Sequence, residues 1–147
     1  MELVIKNFDR LTSREVYEIL KIRTAVFVVE QNCPYQEVDG TDYDSLHVWL
    51  EEKDEIKAYL RAFPKSDDGK TVQIGRVLSK ERGVGLGAKV LSSGIEAVKA
   101  ELSPEQIVIE AQTYAIPFYE KFGFEVNGEE FLEDGIPHTP MILYTGR

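Results

Sequence analysis

The sequence predicts an α/β (α+β) fold, with a mixed sheet that is antiparallel in its first half and flanked by helices. Three observations predict it. A helix pattern follows the first strand, three strand patterns come next, and a glycine-rich turn then opens a long helix with one apolar face. The length of 147 residues and the 43% of hydrophobic residues suit one domain over 1–147 with its own core.

The chain begins with a strand and a capped helix. Residues 2–7 (ELVIKN) indicate a short strand. Thr12 to Glu15 (TSRE) is a capping-box pattern, and the apolar residues after it follow helical spacing. Residues 31–45 are rich in turn formers and acids and predict a loop. Residues 46–51 (LHVWLE) then alternate as a strand with their even-numbered side chains inward.

Two further strands and a helix occupy the middle of the chain. Residues 56–63 and 71–79 flank the segment PKSDDGK, which suggests a hairpin. Beyond the glycine turn, apolar residues line one face of a helix as far as Leu102. Residues 106–112 (QIVIEAQ) indicate a buried strand.

The last third predicts a short helix and the remaining strands. The helix runs through 115–122 (AIPFYEKF), with Gly123 as its C-terminal cap. Residues 124–126 and 138–146 supply strands, with a turn at Asp134-Gly135.

Composition argues against several classes of protein. The net charge of −9 without a basic stripe argues against a nucleic-acid partner. No apolar run is long enough to span a bilayer, and the N-terminus lacks a secretory layout. Cys33 is the single cysteine, so we expect no disulfide framework and a cytoplasmic location. His47 and His138 lack metal-ligand spacing, so no metal is expected.

The segment ERGVGLGAKVL (81–91) places three glycines within five positions before a helix. Such glycines let backbone N–H groups close around an anion. A P-loop is excluded because its spacing is longer and Ala88 stands before Lys89. The dinucleotide-binding pattern fits poorly, since the spacing here is G-x-G-x-G and several strands precede it. An R-x-x-G-x-G turn remains, beside a turn selected only for tight packing.

A second segment makes the first recognisable. Residues 112–126 (QTYAIPFYEKFGFEV) follow about thirty positions later. Together the two segments resemble the signature regions of the GCN5-related N-acetyltransferases (GNAT), through Arg82 to Gly87, Ala115, Phe118, Tyr119, Gly123 and Phe124. The stretches IRTAVFVVEQNCPYQEVDG, IGRV and EDGIPH resemble the ElaA subfamily, so the resemblance covers nearly the whole chain.

The resemblance implies the GNAT fold, a mixed, mostly antiparallel sheet that splays between strands 4 and 5 to admit acetyl-CoA. By position, 71–79 is strand 4 and 106–112 is strand 5. The anion is then the pyrophosphate of coenzyme A, held by N–H groups of the glycine turn, while the side chains of Val84 and Leu86 turn to the core. The expected coenzyme A contacts are Val77, Leu78, Ser79, Arg82, Gly83, Val84, Gly85, Leu86, Gly87, Ala88, Gln112 and Phe118.

The resemblance also assigns the chemistry. Tyr119 matches the family position whose hydroxyl protonates the departing thiolate. The alternative is that Tyr119 only packs with Phe118 and Phe122. A backbone N–H within 77–79 is expected to polarise the acetyl carbonyl. Gln112 stands where many relatives carry an asparagine that contacts pantetheine.

The acceptor is expected to be a small-molecule or peptide amine that binds as a cation. The loop over 30–45 carries five acids and no basic residue, and a solvated acidic loop is the alternative. His47 alternates away from the inward face, so we expect it to point to the cleft or to solvent. The expected acceptor-side residues are Glu30, Glu37, Asp39, His47 and His138, and all but Asp39 are candidates for the base that deprotonates the amine.

Two other functions stay open. One is a non-catalytic acyl-CoA sensor that kept the fold. The other is an acyl-homoserine-lactone synthase, because an arginine, an aromatic residue and acids are loosely similar to the pattern in those enzymes. These residues are Arg23, Phe27, Glu37, Asp39 and Asp42. The resemblance also allows a homodimer.

Overall fold

The structure is a computed structural model and describes residues 1–146. The helices are α1 (Ser13–Arg23), α2 (Leu86–Leu102) and α3 (Ile116–Glu120). The strands are β1 (Glu2–Asn7), β2 (Leu46–Glu52), β3 (Glu55–Pro64), β4 (Thr71–Ser79), β5 (Gln106–Gln112), β6 (Glu125–Val126), β7 (Phe131–Glu133) and β8 (Ile136–Tyr144).

The strands form one mixed sheet in the order β1-β2-β3-β4-β5-β8-β6, with β7 paired to β8. The pairings from β1 to β4 and those of β8 are antiparallel. Strands β4 and β5 run parallel, because α2 lies between them in the chain and returns it to the same end of the sheet. The predicted mixed, mostly antiparallel fold is confirmed.

Helix α1 begins at the predicted capping box. The Thr12 side chain accepts a hydrogen bond from the Glu15 N–H at 3.1 Å, and the Glu15 carboxylate accepts from the Thr12 N–H at 2.8 Å. The helix continues into a wider π-helical segment over Thr24–Glu30, which periodicity did not predict. This segment carries Val26 and Phe27 to the edge of a cleft that opens in the sheet.

The sheet is covered on both faces. Helix α2 packs on one face, where Leu60 and Ile107 are fully buried, and α1 packs on the other, over Trp49 and Tyr59. Residues 46–50 of β2 are therefore all buried, so the predicted alternation of inward and outward side chains is wrong for this strand.

A glycine sets the spacing between α2 and the sheet. A Cβ on Gly94 would lie 2.5 Å from Cδ2 of the fully buried Leu60. Any side chain at this position would therefore require either the buried Leu60 side chain or the helix itself to shift.

The C-terminal turns follow the prediction in part. Gly123 has φ +95° just beyond α3, in keeping with a glycine that closes the helix end. Asp134 and Gly135 have φ of 52° and 79°, which suits the tight hairpin turn between β7 and β8. Strand β7 itself was not predicted, because its three residues are too short for a periodic pattern.

Candidate active site

The sheet opens into a wedge between β4 and β5. The two strands pair only as far as Ile74 and Ile109. At this point β4 contains a bulge, where Arg76 and Val77 both lie opposite Leu60 of β3 and Arg76 adopts φ +53°. A bulge bends its strand, so the second half of β4 leaves β5 and follows β3 instead. The splay between the fourth and fifth strands is confirmed.

The wedge presents backbone donors from β4. The Lys80 N–H donates to the Lys57 carbonyl at 2.8 Å, so this pair is hydrogen-bonded across β3 and β4. Because successive residues of an antiparallel strand alternate in direction, the N–H of Leu78 faces β3. The N–H groups of Val77 and Ser79 then point into the wedge.

The glycine turn lies at the end of the same wedge. Gly83 and Gly85 both have φ +79°, and a Cβ on either would meet no atom within 4 Å. Gly85 is the N-cap of α2. A Cβ on Gly87 would lie 3.9 Å from Ser79 Cβ and from Phe118 Cζ, so the first turn of α2 sits beside both β4 and α3. Unpaired N–H groups of a helix N-terminus are thus placed next to the strand donors.

One detail of the turn differs from the prediction. The Val84 side chain is 57% exposed, so it does not turn to the core. Leu86 does pack against the core beneath α2. The reason is that Val84 lies between two left-handed glycines, at the outer bend of the turn.

Tyr119 lies on α3 and faces the wedge. Its ring makes edge contacts with Phe118 at 5.2 Å and Phe124 at 6.1 Å. Burial, with a smaller contribution from the Tyr114 hydroxyl, raises the pKa of Tyr119 to about 12. The Tyr119 hydroxyl makes no hydrogen bond with another residue of the described chain. The phenol therefore stays protonated at neutral pH and is free to donate its proton to a ligand.

The wedge widens into a cleft of about 810 Å³. The sequence-predicted residues that line the cleft are Asp39, Val77, Leu78, Ser79, Arg82, Gly87, Gln112, Phe118, Tyr119 and His138. The predicted residues outside the lining are Glu30, Glu37, His47, Gly83, Val84, Gly85, Leu86 and Ala88. The glycine-turn members of the second group lie around α2's N-terminus, and Glu30 is exposed on the π-helical segment. Glu37 and His47 instead belong to a buried structure beside the cleft.

That structure is a buried network of ion pairs. Arg23 at the end of α1 has no exposed surface. Its guanidinium donates to Glu37 at 2.8 Å and to Asp42 at 2.5 Å. Glu37 is itself only 4% exposed. Two arginine–carboxylate pairs thus hold the loop after α1 against the sheet.

Two arginines of the sheet complete the network. Arg61 on β3 donates to Asp39 at 2.7 Å and to Asp42 at 3.0 Å. Arg76, at the bulge of β4, pairs with Glu37 and lies 3.4 Å from Asp39. Burial disfavours the charged form of Asp39, yet its hydrogen bonds to Arg61 hold its pKa below the ordinary value. The network therefore connects the loop to the strand that carries the wedge donors.

Three of the five acids predicted in this loop are paired with arginines. Glu37 pairs with Arg23 and Arg76, which lie 14 and 39 positions away in the sequence. Asp39 pairs with Arg61, 22 positions away, and Asp42 pairs with Arg23 and Arg61, both 19 positions away. Glu30 is exposed on the π-helical segment, outside the cleft. Most of the negative charge of this loop is therefore paired with arginines inside the protein.

The predicted orientation of His47, toward the cleft or toward solvent, is wrong. It is 1% exposed, with Nδ1 2.6 Å from the Tyr59 hydroxyl and Nε2 3.0 Å from the Asp42 carbonyl. A carbonyl only accepts, so Nε2 carries the hydrogen and Nδ1 accepts from Tyr59. Burial lowers the pKa of His47. The ring is a neutral bridge within the fold and faces neither the cleft nor solvent.

Several residues that line the cleft were not predicted from the sequence. Tyr35 packs against Arg76, whose Cζ lies 5.5 Å from the ring centroid. Glu110 and Tyr114 also line the cleft, as does Glu133 from the hairpin before His138. Of these residues, only Glu133 lies within a motif that resembles the ElaA subfamily, EDGIPH, so this motif could have indicated its place in the cleft.

Cys33 also lines the cleft, whereas a metal centre and a membrane span find no support in the described residues. Cys33 is buried, with Sγ 3.5 Å from the Asp134 carbonyl, as suits a structural thiol. Within residues 1–146, no group of three or more His, Cys, Asp or Glu side chains is arranged to hold a metal ion. None of the helices in this range has the length and apolar character needed to cross a membrane.

Comparison with known proteins agrees with this geometry. A family model described as an acetyltransferase (GNAT) domain matches residues 12–145. The chain belongs to the GNAT acetyltransferase family. Protein ElaA of Escherichia coli is 40% identical over 139 residues, which cover 92% of this chain and 91% of that protein.

Solved GNAT structures match along nearly the whole chain. The crystal structure of Escherichia coli ElaA has a TM-score of 0.89 at 38% identity, over 96% of this chain and 97% of that chain. An acyl-CoA N-acyltransferase from Pseudomonas aeruginosa has a TM-score of 0.88 at 38% identity, over 97% and 99% of the two chains. The expected resemblance to GNAT enzymes and to ElaA is confirmed.

A synthase shares the fold at lower similarity. A coenzyme-A-dependent acyl-homoserine lactone synthase has a TM-score of 0.78 over 95% of this chain and 80% of that chain, at 15% identity. At this identity the likeness is one of fold alone.

Proposed function

We propose that this GNAT protein transfers an acetyl group directly from acetyl-CoA to an amine. The observation that carries the proposal is the wedge, where strand donors at Val77 and Ser79 meet the N-terminus of α2. A thioester with a long polar arm and a pyrophosphate fits that arrangement, because the arm can pair with a free strand edge and the pyrophosphate with helix N–H groups. These donors are neutral, which suits a protein of net charge −9.

The same donors support the chemical step. As the amine attacks the carbonyl carbon, negative charge develops on the carbonyl oxygen, and a pre-placed N–H of Val77 or Ser79 stabilises it. The attack forms the new C–N bond, and the C–S bond then breaks. Tyr119 gives its proton to the departing thiolate and recovers one from the nitrogen of the new amide. An acid that is protonated at neutral pH suits this role.

Replacement of Tyr119 tests the proposal. We expect Tyr119→Phe to lower kcat roughly 10²-fold, the usual effect of losing a general acid, with the affinity for acetyl-CoA unchanged. Turnover is measured as coenzyme A release against a panel of polyamines, amino acids, amino sugars and peptides, and affinity by calorimetry.

Tyr114→Phe is the matched control, because it removes a hydroxyl from the same cleft. Equal losses in both variants, or none in Tyr119→Phe, would show that Tyr119 only packs. Acetyl-CoA binding without release of coenzyme A to any amine would instead support a sensor. Turnover only with S-adenosylmethionine and an acyl donor would support a lactone synthase.

A further inference from the structure

His138 occupies a distinct position in the cleft. On β8 it lies opposite Gln112, the last residue of β5, and Pro140 lies opposite Glu110. Residues directly opposite in a sheet point to the same face, so His138, Gln112 and Glu110 share one face. The other face of these strands carries the buried Met141 of the α2 core. His138 thus stands where β4 has already separated from β5.

Its ring is fixed in orientation and in tautomer. Nδ1 lies 2.7 Å from the Ile136 carbonyl. Because a carbonyl only accepts, Nδ1 carries the hydrogen in the neutral ring and the lone pair lies on Nε2. Phe131 stacks on the ring at 5.8 Å with an interplanar angle of 25°. The basic nitrogen is therefore pre-oriented.

A carboxylate stands beside that nitrogen without bonding to it. Glu133 Oε2 lies 3.8 Å from His138 Nε2, too far for a hydrogen bond. A single nitrogen placed about 2.9 Å from both atoms can donate a hydrogen to each. The other charged groups around the pair are Glu110, Asp134 and Arg76. Burial and the charge of Glu110 raise the pKa of Glu133.

We propose that Nε2 of His138 is the general base that deprotonates the acceptor, an alkylammonium ion bound between His138 and Glu133. This inference rests on the proposed acetyl transfer. The ammonium gives one proton to Nε2, and the free amine then attacks the thioester carbon. The imidazolium returns that proton to solvent after the amide has left. Glu133 accepts a second N–H of the ammonium and orients it.

Two amines of similar shape distinguish a base from a structural residue. Benzylamine is a cation at pH 7.5 and must lose a proton before attack, whereas aniline is already neutral. We expect His138→Gln to lower kcat with benzylamine by about 10²-fold or more and with aniline by less than about fivefold. The Kd for acetyl-CoA, measured by calorimetry, should not change. Hydrolysis of acetyl-CoA without an amine should also slow, because the same base activates water.

Glu133 should act mainly on binding. We expect Glu133→Gln to raise KM for benzylamine about tenfold and to leave KM for acetyl-CoA unchanged. Glu130→Gln is its control, since it removes an exposed carboxylate from the same segment, outside the cleft lining.

Each remaining outcome overturns a defined part of the inference. Equal losses with benzylamine and aniline would make His138 a structural residue, and unchanged turnover with both would remove it from the reaction. A wild-type protein that binds acetyl-CoA but neither acetylates an amine nor hydrolyses the thioester would overturn the proposed function and this inference together. Wild-type turnover with an unaffected His138→Gln would overturn the inference alone.

Discussion

The two halves of the cleft differ in the groups that form them: main-chain N–H groups in one half and charged side chains in the other. On the wedge side, the donors are main-chain N–H groups of β4 and of α2's N-terminus, and two glycines with φ +79° shape the turn. On the opposite side, the wall rests on Arg23, Glu37 and Asp42, side chains that are buried and paired. The first half presents main-chain N–H groups, which any residue except proline can supply. The second depends on charges that must all be present, so the two should respond differently to substitution.

The largest expected effect belongs to the charged half. Arg23→Met keeps much of the side-chain volume but leaves Glu37 and Asp42 short of a buried partner. We expect a loss of about 3–5 kcal/mol in the free energy of unfolding, measured in urea, because an uncompensated buried charge is costly. Arg14→Met, on the exposed face of the same helix, should change it by less than about 0.5 kcal/mol. Similar values for the two variants would mean that the network adds no stability.

A substitution in the glycine turn should weaken ligand binding in addition to any loss of stability, whereas a matched substitution elsewhere should lower stability alone. Gly85→Glu places a carboxylate at the N-cap of α2, where an anion is expected, and should weaken acetyl-CoA binding about 10- to 100-fold in calorimetry. Gly69→Glu is the matched control, because Gly69 also has positive φ, +73°, and open space. Both variants carry the same backbone strain, so their unfolding free energies should fall alike. Equal affinity in the two would place the pyrophosphate elsewhere.

The smallest effect is a pH dependence from the charged half. Burial lowers the pKa of His47 in the folded protein. Between that value and the ordinary one of about 6.5, the unfolded state binds the proton and the folded state does not, so stability falls as the pH drops below about 6.5. The slope from this group is at most about 1.4 kcal/mol per pH unit. Urea titrations between pH 7.5 and 5.5 should show a steeper fall for the wild type than for His47→Asn. Identical slopes would contradict the buried, neutral state of His47.

The same contrast explains how far the sequence could predict the molecule. The glycine turn, β4 and β5 are encoded by neighbouring residues, and the predicted strands 71–79 and 106–112 match the observed ones. The partners of Glu37 are encoded at separations of 14 and 39 residues, which no local pattern reveals. A loop of acids therefore suggested free charge where the fold provides arginines.

The prediction for His47 was wrong for a related reason. Alternation along a strand distinguishes two faces but does not say that both are covered, and α1 closes the face that carries His47 and Tyr59. The sequence could predict that His138 lies in the cleft because the motif EDGIPH resembles one of a known family. The distance of its ring from Glu133 could not be predicted, because it depends on how the hairpin turn at Asp134 brings β7 and β8 together.

Gly94 has a mechanical consequence for the ligand site. It lies nine residues beyond Gly85, about 13 Å along the axis of α2, and it is the point where the helix rests on Leu60. A methyl group there would press on the buried Leu60 side chain, and any shift of the helix at this contact would also move its N-terminus, which adjoins the glycine turn. Packing in the interior of the protein therefore bears on the spacing between the N-terminus of α2 and β4, although Gly94 itself does not line the cleft.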